Sequence, residues 1–150
     1  MTQRIVPMLA YEDAAAAIDW LTKAFGLTED AGQRYTDENG VIGHAELRHG
    51  DERIMLSTPN PEYESPKTHR AHCDAAARWL DNPWVIDGVF VAVDDLDAHH
   101  ATAVAAGASI LRGPEEPGIG LRIYAAEDLE GHRWMFGEPL SAPIPPSSSG

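Results

Sequence analysis

The sequence predicts an α+β fold made of two βαβββ modules in tandem. The first observation is an internal repeat, because equivalent points of the two halves recur at a nearly constant separation. These landmarks are Gly26 and Gly107 at helix ends and Gly50 and Gly131 in the last turns, each pair 81 residues apart, and Met55 and Met135 in the last strands, 80 apart. The second observation is periodicity, since each half begins with an apolar strand and a helix and continues with residues alternating at strand spacing.

The first module, residues 1–57, begins with a short apolar strand at residues 5–10. Apolar residues at helical spacing then predict a helix over Ala14–Phe25, with an acidic cap before it and Gly26 as its C-terminal stop. Alternation and turn residues predict the remaining strands. These are a short strand at Tyr35, a longer one at residues 41–48 and a last one at residues 53–57.

The second module, residues 85–140, repeats this order. Its elements are a strand at residues 85–93, a helix over residues 94–106, a strand at 110–111, a loop at 113–120, a strand at 121–126 and a last strand after Gly131. The stretch 128–136 carries the most information, because a polar turn runs straight into alternating residues. Trp134 and Phe136 therefore share one face of that strand, while Arg133 and Met135 share the other.

Two segments lie outside the modules. Residues 58–84 form a linker rich in proline, glutamate and histidine, with a short amphipathic piece, Asp74–Leu80, that could form a helix carrying Trp79. Residues 141–150 are mostly proline and serine, and we expect this tail to be disordered and without a function of its own.

Composition excludes several classes of function. Lysine and arginine number 11 against 24 aspartate and glutamate, a net charge of -13 that repels nucleic acid and anionic membranes. Cys73 is the one cysteine in the chain, so an intramolecular disulfide and a cysteine-based zinc cluster are excluded. With no signal-peptide pattern and no apolar run of membrane-spanning length, we expect a soluble cytoplasmic protein. Nucleophile-elbow, P-loop and dinucleotide-binding motifs are also absent from the sequence.

Several motifs resemble the vicinal oxygen chelate superfamily. They are the helix ends AFG and AAG, the pair HAEL and GDERIML, and above all DLEGHRWMFGE. That superfamily contains glyoxalase I, extradiol dioxygenases, fosfomycin-resistance enzymes and bleomycin-resistance-type binding proteins, and the resemblance covers residues 4–139. It implies a cupped, half-barrel mixed sheet with the helices on the outside. It also implies a homodimer, because many members complete their cups across a subunit interface, with a monomer built from its own two modules as the alternative.

The resemblance does not extend to the metal site of metal-using members. Their ligands stand in the first and last strand of each half, at positions that correspond here to Val6, Met55, Gly88 and Met135. None of these residues is a ligand for a hard metal ion. A shift of one residue would add only Asp87, which alternation places on the opposite strand face. We therefore expect no metal and no cofactor, with a divalent metal only if other residues supply the ligands.

Strand alternation assigns side chains to the inside of the cup. The expected inward residues are Val6, Met8, His44, Glu46, Arg48, Arg53, Met55, Phe90, Ala92, Arg122, Tyr124, Arg133 and Met135. From these we predict a ligand-binding set of Met8, His44, Glu46, Met55, Phe90, Arg122, Tyr124, Arg133 and Met135. An aromatic ring, methionines and a few polar groups are typical of a small-molecule pocket, although methionines at strand spacing also serve simply as core filler.

Two polar pairs within this set each allow more than one interpretation. His44 and Glu46 project from the same strand face and are the best catalytic candidates, as a base with its orienting carboxylate or as two ligands of a displaced metal. They equally fit a solvated charged face or a hydrogen bond that orients a ligand. Arg122 and Tyr124 either bind an anionic or carbonyl group of a ligand, or Arg122 pairs with one of the many carboxylates.

The leading functional hypothesis is a metal-independent protein that binds or sequesters a drug or aromatic metabolite. The rival is a lyase, isomerase or dioxygenase whose metal is held by residues such as His44 and Glu46. A third hypothesis is an interaction module without a small ligand. We expect a small-molecule ligand and a homodimer, and neither nucleic acid nor membrane as a partner.

Overall fold

The computed structural model of the protein describes residues 3–82 and 87–140, and it confirms the predicted α+β fold of tandem βαβββ modules. The first half contains β1 (Met8–Ala10), α1 (Ala14–Phe25), β2 (Thr28–Glu29), a 3-10 turn (Ala31–Gln33), β3 (Tyr35–Thr36), β4 (Ile42–His49) and β5 (Glu52–Ser57). The connection contains α2 (Pro66–His72) and α3 (Asp74–Leu80). The second half contains β6 (Gly88–Ala92), α4 (Leu96–Ala105), β7 (Ser109–Glu115), β8 (Leu121–Glu127) and β9 (Arg133–Pro139).

Each half forms its own open, mixed sheet with the same strand arrangement. The first sheet has the order β1-β5-β4-β2, with β3 also paired to β4, and the second has the order β6-β9-β8-β7. In both sheets the first strand of the module lies parallel to the last strand, while the remaining pairs are antiparallel. The duplicated sequence therefore gives a duplicated topology.

Local sequence signals account for the helix boundaries. Asp13 and Asp95 are the N-caps of α1 and α4, and each side chain accepts a hydrogen bond from a first-turn amide at 3.0 Å. Gly26 ends α1 in the left-handed conformation, with φ of 70°. None of the helices in residues 3–82 and 87–140 is long and apolar enough to cross a membrane.

The structure differs from the sequence-based expectations in several elements, including β2 and the 3-10 turn, which were not predicted. The first strand begins at Met8 rather than at residue 5, and β7 extends to Glu115, into the segment predicted as a loop. The linker contains α2 in addition to the expected helix over Asp74–Leu80, because Ser65 caps a first turn that begins with Pro66. The predicted tail at 141–150 and the predicted strand residues 85–86 lie outside the described residues.

The two halves share one hydrophobic core, which lies between the sheets and the helices α1 and α4. Phe25 at the end of α1 contacts the second sheet directly, with its ring centroid 5.4 Å from that of Trp134 and 4.7 Å from that of Phe136. Leu47 and Leu56 of the first sheet belong to the same cluster. Full burial of a side chain such as Phe25 contributes about 1.5–3 kcal/mol, so this shared cluster holds the halves together.

The opposite face of each sheet carries the residues of functional interest. Residues directly across from each other in neighbouring strands share a face. The first open face consists of Met8, His44, Glu46, Arg53 and Met55, and the second consists of Phe90, Ala125, Arg133 and Met135.

Candidate functional site

The first open face brings together four of the predicted ligand-binding residues. Met55 on β5 lies between Met8 on β1 and Glu46 on β4 in the strand register, and His44 is two residues from Glu46 on the same face. Met8 is 78% exposed and Met55 beside it is partly buried. Met8 is therefore available for contact, and the role of Met55 in a ligand site stays a prediction.

A polar triad of His44, Glu46 and Arg53 occupies the centre of this face. The carboxylate of Glu46 has one oxygen 3.3 Å from His44 Nε2 and the other 3.5 Å from Arg53 Nε. Glu46 is only 8% exposed, so the interpretation as a freely solvated charged strand does not hold. Arg53 Nε is itself buried and has no hydrogen-bond partner within residues 3–82 and 87–140. The triad is thus a partly desolvated polar cluster beside an exposed methionine.

The second open face is apolar. Met135 on β9 lies between Phe90 on β6 and Ala125 on β8 in the strand register, and Phe90 is 50% exposed. The Phe90 ring lies over Gly137, since a Cβ added at that glycine would come within 2.6 Å of Phe90 Cζ. Glycine at this position allows the ring to approach the backbone closely, so Phe90 and Met135 form an apolar platform.

Arg133 lies on the second open face, but its guanidinium makes contacts within the protein. It is 6% exposed, donates hydrogen bonds to the carbonyls of Leu80 and Asn82 at the end of α3, and lies 3.6 Å from Glu127. Arg70 on α2 donates to the same Glu127 carboxylate at 2.7 Å. Burial lowers the pKa of Arg133, and the Glu127 charge opposes that shift. The guanidinium therefore holds the linker helices against the second sheet, and its predicted ligand contact stays a prediction.

The predicted inward placement of Arg122 and Tyr124 is wrong. Tyr124 lies opposite Phe136 in the strand register, which puts it on the helix-packed face, and it is fully buried there. Arg122 has the same parity and donates to both carboxylate oxygens of Asp97 on α4, at 3.0 and 3.2 Å. The alternative interpretation, in which Arg122 pairs with a protein carboxylate, is the correct one. Strand β8 is buried on both faces, so alternation could not show which face is inward.

Tyr124 belongs to a link between the two halves. His99 Nε2 lies 2.9 Å from the carbonyl oxygen of Phe25 and must donate to it, so His99 Nδ1 accepts from the Tyr124 hydroxyl at 2.5 Å. Burial lowers the pKa of His99 and raises that of Tyr124, which keeps both groups neutral. Sequence analysis missed this role, because it depends on the docking of α4 against the end of α1.

A cleft of about 460 Å³ opens between the free edge of β6 and the β4–β5 hairpin. Arg53 from the first open face and Phe90 from the second both line it. Further apolar lining comes from Leu47, Ile54, Val89, Val91 and Trp134, and further polar lining from Gln3, His49 and Glu52. Its size and its mixture of apolar walls with a few polar groups are typical of a small-molecule site. Most of these residues were not predicted, because the cleft arises from the docking of two sheets.

The residues present do not form the metal site of metal-using relatives. Met55 and Met135 occupy the last-strand positions, and each has an apolar neighbour across the sheet. His44 and Glu46 are the nearest approach to a ligand pair, but Arg53 faces the second oxygen of that carboxylate. Within residues 3–82 and 87–140, no three His, Cys, Asp or Glu residues are placed to hold a metal ion. The donor set therefore does not fit a metal centre.

The sequence of the chain matches a known family model. The match, over residues 4–136, is to the model of the Glyoxalase/Bleomycin resistance protein/Dioxygenase superfamily. The chain belongs to this superfamily. An uncharacterized protein of Mycobacterium tuberculosis strain CDC 1551 is 30% identical over 138 residues, which cover 89% of this chain and 73% of that one.

Solved structures of the superfamily share the fold. TioX from Micromonospora sp. ML1 is 31% identical, with 95% of this chain and 100% of TioX covered and a TM-score of 0.65. TnmS3, an antibiotic binding protein from Streptomyces sp. CB03234, is 17% identical, with 93% and 98% coverage and a TM-score of 0.59. At that identity the likeness of TnmS3 establishes the common fold alone.

Proposed function

We propose that this superfamily member binds and sequesters an apolar or aromatic small molecule, of the drug or aromatic-metabolite class, without using a metal ion. The observation that carries the proposal is the cleft of about 460 Å³, because one residue from each open face, Arg53 and Phe90, lines it. Sequestration requires a shaped apolar site and no transition-state chemistry, so it needs no metal ligands.

The polar groups of the cleft define how such a ligand would be oriented. Arg53 lies beside Glu46, and its Nε has no hydrogen-bond partner among the residues that the structure describes. His49 spans the cleft by a 2.8 Å contact from Nε2 to the Ala92 carbonyl oxygen. An acceptor on the ligand would satisfy the guanidinium, while the Phe90 ring would stack on the aromatic body. The shared fold of TnmS3, an antibiotic binding protein, is consistent with this class of ligand.

We also propose that the working unit is a homodimer. The open faces expose Met8 (78%) and Phe90 (50%), and sheets with uncovered apolar residues favour association. A second copy placed over these faces would remove them from water and would enclose the ligand. Light scattering coupled to size-exclusion chromatography tests this directly: a dimer mass supports the proposal, and a monomer at high micromolar concentration contradicts it.

Ligand binding is tested by a thermal-shift screen of aromatic antibiotics, followed by calorimetry on the strongest hit, because a ligand that binds the folded state raises Tm. Phe90→Ala should weaken the affinity for that hit about fivefold, since stacking on a half-exposed ring contributes on the order of 1 kcal/mol. Trp79→Ala is the matched control, because Trp79 is 62% exposed and does not line the cleft. Equal affinity of Phe90→Ala and wild type, or equal loss in both variants, would contradict the site.

The same protein sample separates binding from metal-dependent catalysis. Elemental analysis of the purified protein and a thermal-shift scan across divalent metals should show no stoichiometric metal and no rise in Tm. A rise in Tm that is lost in both His44→Ala and Glu46→Ala would instead support the lyase, isomerase or dioxygenase hypothesis.

A further inference from the structure

A second cavity is lined by a different set of residues from the cleft. Its volume is about 770 Å³, and it opens between the loop that joins β3 to β4 and the chain that follows β5, beside the start of α1. It shares no lining residue with the 460 Å³ cleft. We call it the tyrosine groove and define it by Glu12, Tyr35, Asp37, Pro59, Pro61 and Tyr63.

The tyrosine groove combines two tyrosines and two prolines with polar residues in its lining. Tyr63 is held in place because its hydroxyl donates to the Ala10 carbonyl oxygen at 3.0 Å. Tyr35 is 60% exposed, so its ring is open to contact from the groove. Pro59 and Pro61 restrict the backbone of the opposite wall. Two tyrosine rings beside rigid proline walls provide flat surfaces that can receive an aromatic or methyl-rich group.

The charge lining the groove has a single sign. Two carboxylates line it, from Glu12 and Asp37, and none of the described lining residues is Lys, Arg or His. Glu12 is held by the Thr68 hydroxyl, which donates to its two oxygens at 3.1 and 3.0 Å. Asp37 Oδ1 accepts from the amides of Asn39 and Val41 at 2.8 and 2.9 Å. These hydrogen bonds hold both carboxylates in place.

The negative charge around the groove also affects Tyr63. Burial raises the pKa of Tyr63, and the negative charges of Glu130, Glu12 and Asp128 raise it further. A negative potential over aromatic faces favours cations, because the ring quadrupole and the carboxylates attract positive charge together.

We propose that the tyrosine groove is a second small-molecule site, selective for an organic cation that carries a primary or quaternary ammonium group on an aromatic body. The ammonium group lies between the Glu12 and Asp37 carboxylates, and the aromatic body packs against Tyr35 and Tyr63. This site is additional to the sequestering cleft, so either one can exist without the other.

Three probes of similar size test the charge selectivity: benzyltrimethylammonium, neutral benzyl alcohol and anionic benzenesulfonate. Each is titrated into ¹⁵N-labelled protein while backbone amide shifts are followed. The cation should shift the amides of Asn39, Val41 and Gly43 in a saturable manner, and benzenesulfonate should not. Absence of a saturable shift with the cation, or equal shifts with all three probes, overturns the proposal.

Matched variants separate the site from general attraction to an acidic protein. Asp37→Asn keeps an oxygen for the Asn39 and Val41 amides but removes the charge, and Glu12→Gln does the same for the Thr68 hydroxyl. Each should weaken the cation about threefold. Tyr35→Ala, at an exposed position, should weaken it about fivefold through the lost cation–π contact.

The control variant is Asp51→Asn, which makes the same change in net charge in an exposed turn outside the groove. It should leave the cation affinity unchanged. Weakening by Asp51→Asn as large as that by Asp37→Asn would show non-specific attraction and overturn the proposal. Retention of the wild-type spectrum outside the groove confirms that each variant is folded.

Discussion

Residues 49–51 and residues 128–131 form the last turns of the two halves, around Gly50 and Gly131 at the repeat distance of 81. The backbone conformation is alike, with φ of 59° at Gly50 and 90° at Gly131. The surroundings differ, since the first turn is exposed whereas Asp128 and Glu130 are 5% and 7% exposed. The two turns therefore share a backbone conformation, but only the second turn has buried side chains.

The turns also show how the halves dock. His49 and Glu130 stand at equivalent positions, 81 apart, and the side chain of each contacts the backbone of the other half. His49 Nε2 contacts the Ala92 carbonyl oxygen at 2.8 Å. Glu130 accepts from the amides of Glu12 and Asp13 at 2.6 and 3.0 Å, at the start of α1. The contacts are reciprocal, but the second places a carboxylate at a helix N-terminus, where negative charge is stabilised.

Asp128 makes the second turn the stronger link. Its Oδ2 accepts from the Tyr11 hydroxyl at 2.6 Å and from Trp134 Nε1 at 3.1 Å, while Oδ1 accepts from the amides of Glu130 and His132, both at 3.0 Å. Tyr11 belongs to the first half, so one buried carboxylate joins β9 to the end of β1. Burial and the Asp128 charge together raise the pKa of Tyr11 and keep its hydroxyl protonated as a donor.

Removing the Asp128 side chain should give the largest difference in stability between changes in the two turns. Asp128→Ala leaves the Tyr11 hydroxyl and Trp134 Nε1 buried without an acceptor, so we expect the free energy of unfolding to fall by about 3 kcal/mol or more. Asp51→Ala in the exposed turn should change it by less than about 0.5 kcal/mol. Urea denaturation of both variants measures the difference. Similar losses in the free energy of unfolding would mean that the two turns contribute equally to stability.

The two glycines provide a matched pair with a smaller effect. A Cβ at Gly131 would lie 2.9 Å from the Lys67 amide nitrogen on α2, whereas a Cβ at Gly50 meets nothing within 4 Å. Gly50→Ala should therefore cost about 1 kcal/mol, from the left-handed backbone alone. Gly131→Ala should cost about 2–3 kcal/mol, because α2 must also move. Urea denaturation measures both losses in the free energy of unfolding. Equal losses would mean that α2 does not constrain the second turn.

The smallest expected effect is a pH dependence confined to the second turn. Burial raises the pKa of Glu130, opposed by its hydrogen bonds from Glu12 and Asp13. Between the ordinary value of 4.5 and this raised pKa, the folded state holds more protons than the unfolded state. Stability contributed by this carboxyl is therefore greatest at low pH and declines as pH rises through the raised pKa.

The stability difference between wild type and Glu130→Gln should thus be more favourable to wild type at pH 4.5 than at pH 7. The control is Glu52→Gln, which makes the same change at an exposed position beside the first turn, and the slope for Glu130→Gln is compared with the slope for this control. A slope of the opposite sign for Glu130→Gln would mean that the helix amides outweigh burial at this carboxyl. Denaturation curves at several pH values between these limits provide the measurement.

Much of the molecule could be predicted from the sequence for local reasons. Alternation along β4 and β5 correctly separated Glu46 and Met55 from Leu47 and Leu56. Caps such as Asp13 and stops such as Gly26 are signals read within a few residues. The separation of 81 residues indicates the duplication from the sequence alone.

The candidate site was predicted less completely, because its residues depend on docking. Alternation failed on β8, where Ile123, Tyr124, Ala125 and Ala126 are all buried and both faces look alike in the sequence. The pairing of β8 with β9 turns Tyr124 toward His99 instead of toward a ligand. The cleft and the tyrosine groove likewise join residues that are distant in the chain, so neither forms a local pattern.

The sequence by itself determined the two modules, their strand and helix order and the faces of half-buried strands, because short-range periodicity and turn chemistry encode these features. Only the tertiary structure decided that Asp128 and Glu130 fasten the second turn to the first half, that Arg133 holds α3, and that Arg53 and Phe90 line one cleft. The physical reason is that a buried polar group takes whichever partner the packing of separate elements brings within hydrogen-bonding distance, and packing is a property of the whole chain.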